Sequence, residues 1–160
     1  MKLRILAIGG TIDKVYFDAL SDYKIGPPAA TEILSRVKVN FDYQVSQMIS
    51  KDSLDMTDLD RQEILHAVQA EASTRVIITH GTDTMVATGQ LLKQALGKTI
   101  VIMGAMQPAI IKFTDAEFNL GVAVAAVQTL PEGVYLCMNG RIYDVDQVVK
   151  NRAEDQFQDL

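Results

Sequence analysis

The chain is poor in the residues that most often carry redox or metal chemistry. Its single cysteine, Cys137, cannot form an internal disulfide. Set in the apolar run VYLCMN, it reads as a small core residue. That cysteine and two histidines, His66 and His80, are too few to suggest a transition-metal site, so no metal and no cofactor are expected. Apolar runs are short, and none approaches the ~20 residues that cross a bilayer. The N-terminal MKLRILAIGG has two basic residues and a brief apolar run. Glycines break that run and no small-residue cleavage site follows, so it is not read as a secretory leader. Basic residues number 15 against 20 acidic ones, with a net charge of -5 and no basic track for phosphates. The expectation is a cytoplasmic protein with neither membrane nor nucleic acid as partner.

What is present is an ordinary globular composition: 160 residues, 48% hydrophobic and 22% charged. The length fits one domain over residues 1–160 with a sizeable core. Leu3–Ile8, Val76–Thr79, Lys98–Met103 and Val134–Met138 are apolar runs without alternation, as expected of parallel strands covered on both faces. Between them lie helical patterns at 58–72, 84–96 and 117–130. Thr57 and Asp60 form a capping-box pair before the first, and the last is apolar almost all round, which predicts deep burial. Strands alternating with helices predict a doubly wound α/β fold, with a mostly parallel sheet and helices on both faces. Residues 13–30 show no period and read as a loop long enough to be a lid. The tail after Lys150 is polar and is expected to fray or to pack on a partner.

Open parallel sheets bind ligands beyond the carboxyl ends of their strands. Here those ends read Gly9-Gly10-Thr11, Thr79-His80-Gly81-Thr82-Asp83, Met103-Gly104-Ala105-Met106 and Met138-Asn139-Gly140. GGTIDK is not G-x-G-x-x-G, and no GKS or GKT follows, so a phosphate cradle is weakly supported. Two threonines at strand ends remain. A threonine hydroxyl is a poor nucleophile unless a base or cation activates it. Asp83 stands beside Thr82, and Lys150 could complete a relay if the fold brings it there. Such threonines are more often helix caps, and such a lysine is more often solvated.

GGTI near the start, HGTDTM in the middle, GAM-x-P after the third strand, FNL at 118–120 and VVKN at 148–151 resemble the bacterial-type L-asparaginase family, in family order over nearly the whole chain. The resemblance implies an amidohydrolase that converts L-asparagine to L-aspartate and ammonia through an acyl-enzyme. Thr11 would attack the side-chain amide, and Thr82, Asp83 and Lys150 would activate the nucleophile or water. KDSLDMT implies that Asp52 and Ser53 hold the substrate's α-amino and α-carboxylate groups. Ala105 would line the amide end, and backbone N–H groups around Gly10 and Gly81 would stabilise the oxyanion. A tyrosine in the loop after GGTI orients the nucleophile in this family; Tyr23, in DYKIG, or Tyr16 would fill that place. His80 is expected to bond strand-end backbone rather than act as base, and His66 to lie at the surface or rim.

The sequence departs from the family pattern twice. Gln107 stands where many members have arginine. The chain also stops soon after Lys150, where most members continue into a second α/β domain whose acidic group, from a neighbouring subunit, meets the substrate's α-amine. A short, single-domain member that forms a homodimer or higher homo-oligomer is the expectation, with Asp52, Asp83 or a partner protomer compensating. The rivals are a glutaminase or other ω-amidase, an amidase component of an amidotransferase, a weak amino-acid-binding module, and a fragment of a longer enzyme.

Overall fold

The computed structural model describes Met1–Leu160, apart from the side chain of Leu20. Its centre is a six-stranded sheet built from β1 (Lys2–Gly9), β4 (Asp42–Lys51), β5 (Arg75–Thr79), β6 (Thr99–Met103), β7 (Gly133–Met138) and β8 (Arg141–Asp144), in the order β4-β1-β5-β6-β7-β8. All neighbours are parallel except β8, which turns back antiparallel on β7. Four helices cover it: α1 (Ala29–Val37), α2 (Asp58–Ala70), α3 (Met85–Leu92) and α4 (Ala116–Thr129). The doubly wound, mostly parallel architecture is therefore observed.

The unalternating apolar runs have a simple cause. In β1, Leu3 and Ile5 enter the core with α1 and α4, while Leu6 and Ile8 enter the core with α2. Ile77, Val101 and Cys137 continue the first side, and Ile78, Ile102 and Leu136 the second. Both pleat faces need apolar side chains, so no polar alternation survives.

Three sequence expectations are corrected. Residues 13–30 are not a structureless loop: β2 (Lys14–Phe17) and β3 (Asp22–Ile25) form an antiparallel hairpin there, and α1 opens directly after Pro27-Pro28. The tail is ordered as the antiparallel hairpin β9 (Val148–Asn151) and β10 (Gln156–Asp159). One apolar residue pins it: Phe157 is 4% exposed, its carbonyl accepts the Tyr143 hydroxyl at 2.6 Å, and its N–H donates to Asn139 Oδ1 at 3.0 Å. Finally, α4 is not deeply buried all round. Asn119, Leu120, Ala123, Ala126 and Val127 face the sheet, whereas Phe118 is exposed. Elsewhere, α3 ends earlier than the 84–96 pattern suggested, and the Thr57–Asp60 capping box at α2 is formed. Among the described residues, no helix is long and apolar enough to cross a membrane.

A short 3-10 turn, Thr11–Asp13, joins β1 to the first hairpin, and Asp13 ties it to α1. Asp13 is 2% exposed; Oδ1 accepts the Ala29 N–H at 2.8 Å, and Oδ2 is buried without a partner. Burial pushes its pKa up to about 6, against the lowering effect of the Ala29 N–H. Between pH 4 and 6 the folded chain keeps a proton that the unfolded chain has lost. The Asp13 contribution is therefore full below pH 4 and lost as pH rises through 6, by roughly 3 kcal/mol in all. Asp13→Asn should match the wild type near pH 4 and be more stable by about 2–3 kcal/mol at pH 7–8. Urea midpoints across that range check this; a pH-independent difference would mean that Asp13 titrates alike in both states.

Candidate active site

The carboxyl ends of β1, β5 and β6 converge because glycines let their backbones touch. A Cβ on Gly10 would lie 2.4 Å from both Cα and N of Gly81. Gly10 also has φ +85, which favours glycine over any other residue. A Cβ on Gly81 would in turn lie 2.6 Å from Ser53 Cβ and Oγ, and one on Gly104 would lie 2.4 Å from the His80 carbonyl oxygen. The Thr11, Ser53 and Thr82 segments are thus packed against one another through bare backbone. Further bonds fix this stack. The Gly10 N–H donates to the Lys51 carbonyl at 3.1 Å, and the Thr84 hydroxyl donates to the Ser53 carbonyl at 2.9 Å.

Lys150 reaches this stack from β9. Its ammonium donates to Thr82 Oγ1 at 2.8 Å and to Asp83 Oδ1 at 2.9 Å, with the Lys150 side chain 13% exposed. The sequence separation is large, and the tail hairpin closes it. Arg152, which the sequence reading did not single out, brings Nε to 3.8 Å from the same Asp83 oxygen. The Thr82 hydroxyl, accepting from a cation, is left with its own proton to give. Lys150 as the ammonium stabilises an alkoxide, and in its neutral form can take a proton.

His80 is fully buried between the two motifs. Nδ1 lies 2.8 Å from the Gly81 carbonyl oxygen and Nε2 lies 2.8 Å from Thr88 Oγ1. A carbonyl can only accept, so Nδ1 carries the proton and Nε2 accepts from the Thr88 hydroxyl. Burial, opposed by the Gly81 bond, pushes the pKa down to about 4, so the ring is neutral near pH 7. Its geometry is that of a brace for the Gly81 peptide.

Thr11 opens onto a cleft of about 650 Å³, lined also by Lys14, Tyr23, Lys51, Asp52, Asp55 and Pro108. Tyr23 lines this cleft; Tyr16 packs edge-on against it across the hairpin, with ring centroids 5.7 Å apart at 70°. The remaining candidates are placed less openly. Ser53 is 1% exposed and its hydroxyl has no partner beside Gly81. Ala105 is 1% exposed within the core beneath α4. Gln107 is exposed, and its N–H donates to Asp115 Oδ1 at 3.0 Å; Asp115 also accepts the Met106 N–H and so holds the GAMQP turn. Lys14 was missed by sequence reading. The 3-10 turn after Thr11 brings it back over the cleft, where Nζ pairs with Asp52 Oδ2 at 2.9 Å. Its spacing of three residues from Thr11 was the available signal.

Comparison with known proteins gives the family. The family model described as asparaginase, N-terminal, matches residues 2–158. The chain belongs to the asparaginase family. Curated relatives include the probable periplasmic L-asparaginase of Haemophilus influenzae, 32% identical over 92% of this chain and 46% of that protein. L-asparaginase 2 of Escherichia coli is 29% identical over 96% of this chain and 47% of that protein. Among solved structures, the thermostable L-asparaginase from Thermococcus kodakarensis superposes with a TM-score of 0.85, at 24% identity over 100% of this chain and 51% of that one. A probable cytoplasmic L-asparaginase from Campylobacter jejuni gives a TM-score of 0.78 at 28% identity, over 99% of this chain and 51% of that one. The chain thus spans about half the length of the asparaginases it matches.

Proposed function

We propose that this chain hydrolyses the side-chain amide of L-asparagine through a threonine ester. The Thr11 hydroxyl attacks the amide carbon and its proton passes to the leaving nitrogen. The carbon–nitrogen bond breaks, ammonia leaves, and water then cleaves the ester to release L-aspartate. Thr82, Asp83 and Lys150 act as the proton relay, with Lys150 holding the Thr82 hydroxyl and Asp83 holding the Lys150 charge. Tyr23, on the hairpin over the cleft, orients the nucleophile. Backbone N–H groups of the glycine stack stabilise the oxyanion.

The observation that carries this reading is the Lys150 ammonium within 2.8 Å of Thr82 Oγ1 and 2.9 Å of Asp83 Oδ1, in a family member whose Gly10 and Gly81 turns touch. A protein that only bound amino acids would have no need of an ammonium poised on a threonine hydroxyl. We further read residues 1–160 as one folding unit that works as a cytoplasmic homo-oligomer. The exposed Ile110, Phe113 and Phe118, close together in sequence, support a partner surface.

Ammonia release from millimolar L-asparagine, with L-glutamine alongside, tests the activity. Wild type should release ammonia, and Thr11→Ala should lose about a thousandfold or more of the rate. A wild type no faster than Thr11→Ala would remove the hydrolase reading. Faster turnover of glutamine would move the substrate by one methylene, a distinction worth only ~1–3 kcal/mol in a pocket.

A further inference from the structure

Lys150 is carried by a strand that lies outside the central sheet, since β9 and β10 form a two-stranded sheet of their own. Whatever fixes that small sheet therefore fixes the ammonium. In the antiparallel register Phe157 of β10 stands directly opposite Lys150 of β9. The Phe157 N–H donates to Asn139 Oδ1 at 3.0 Å, and its carbonyl accepts the Tyr143 hydroxyl at 2.6 Å. A residue of an antiparallel strand points both backbone groups to the same side. The side of β10 away from Lys150 is thus held by two side chains, where a further strand would otherwise pair. Both come from the β7–β8 hairpin, and Arg141 of that hairpin also pairs with Asp159 of β10 at 2.9 Å.

Asn139 occupies the two-residue turn of this hairpin, between the paired Met138 and Arg141. Asn139 has φ +54 and Gly140 φ +76, a left-handed pair that asparagine and glycine adopt at low cost. The turn continues directly from β7, where Leu136, Cys137 and Met138 are fully buried. The Asn139 side chain therefore projects from a rigid base. One bond to Phe157 would leave β10 free to pivot; a bond at its N–H and another at its carbonyl set its orientation.

We propose that Asn139 is a positioning residue for Lys150: its side-chain carbonyl fixes Phe157, the cross-strand partner of Lys150, and so sets the ammonium on Thr82. This rests on reading Lys150 as part of the relay. The contacts run from the end of β7 through Asn139 Oδ1 to the Phe157 N–H, across β10 and β9 to Lys150, and on to Thr82 Oγ1 at 2.8 Å. Asn139 touches neither Thr82 nor the cleft beside Thr11, so its effect falls on the chemical step and not on substrate binding. A displacement of about 1 Å in a reacting group can cost about 10²-fold in rate. An asparagine in a left-handed turn is often there for its backbone alone. What marks this one is the acceptor aimed at Phe157.

Two substitutions in the whole chain separate the acceptor from the turn. Asn139→Gly keeps the left-handed backbone and removes the acceptor, whereas Asn139→Asp keeps both. The first readout is acylation of Lys150 by a small amine-reactive ester, located by peptide mass spectrometry. The second is kcat and KM for ammonia release from L-asparagine. Wild-type Lys150 should label slowly, because its side chain is 13% exposed and bonded to Thr82 and Asp83. Asn139→Gly should speed Lys150 labelling by about tenfold, leave the other lysines at wild-type rates, and lower kcat by about 10–100-fold with KM unchanged. Asn139→Asp should restore both readouts. Faster labelling spread over all lysines, or a loss that Asn139→Asp fails to rescue, would overturn the proposal in favour of general loosening. Lys150 labelling in Asn139→Gly at the wild-type rate would overturn it too, because Tyr143 would then hold β10 unaided. Labelling is read independently of turnover. Selective exposure of Lys150 in a chain that releases no ammonia sinks the hydrolase reading and leaves Asn139 as the residue that positions Lys150.

Discussion

Lys150→Met is expected to lower ammonia release from L-asparagine by about 10²–10⁴-fold, the usual range for a positioned proton-transfer group. The chain should remain folded. Asp83 is 29% exposed and still has Arg152 at 3.8 Å, so losing Lys150 strands no fully buried charge, and the stability cost should be about 1 kcal/mol. Because Lys150 bonds Thr82 directly, the two should fail as a unit. Thr82→Val should match the loss of Lys150→Met, and the double variant should be little worse than either. Losses that instead multiply would place the two residues in separate steps. A Lys150→Met protein at wild-type rate would detach β9 from the chemistry altogether.

Gly10→Ala should cost about 3 kcal/mol or more and abolish the site. Two penalties combine there: a left-handed backbone at φ +85 and a Cβ placed 2.4 Å from Gly81 backbone that cannot swing away. Gly97 separates them. It has nearly the same backbone, φ +77, but a Cβ there meets nothing within 4 Å. Gly97→Ala should cost only about 1 kcal/mol. The difference between the two variants, read from urea midpoints at equal slope, measures how firmly the β1 and β5 ends are clamped. Equal costs would mean that the stack yields to a methyl group and does not set the site.

Which parts of this were legible in advance follows from local physics. The central strands were readable because burial on both faces leaves unbroken apolar runs such as Val76-Ile77-Ile78. β4 was not, because it is an edge strand with a bulge. Ala7 pairs with Gln47 but Gly9 pairs with Lys51, so its apolar residues change phase between Val45 and Met48. The first hairpin was hidden because its outer residues, Tyr16, Phe17 and Tyr23, are exposed and carry no alternation. The tail was misjudged because a single residue, Phe157, anchors it among polar neighbours. In the site, motif residues gave Thr11, Thr82, Asp83 and Lys150, and the contact of Lys150 with Thr82 and Asp83 depends on long-range topology that spacing cannot express. Lys14 belongs to no motif, and only the turn after Thr11 shows where its charge goes. Ser53 and Ala105 were placed by resemblance; the fold puts both under the surface, against the glycine stack and the α4 core.

The anchored tail also has a bearing on the order in which the protein is made. Thr11, Ser53 and Thr82 all emerge well before Lys150, and the β9–β10 hairpin is complete only once Phe157 has followed it. At synthesis rates of about 5–20 residues per second, the relay lacks its lysine for roughly 7–28 s after Thr11 is joined. A nascent chain can bury most of the sheet in that interval and still have no chemistry. The proposed chemistry therefore waits for Lys150 to reach Thr82.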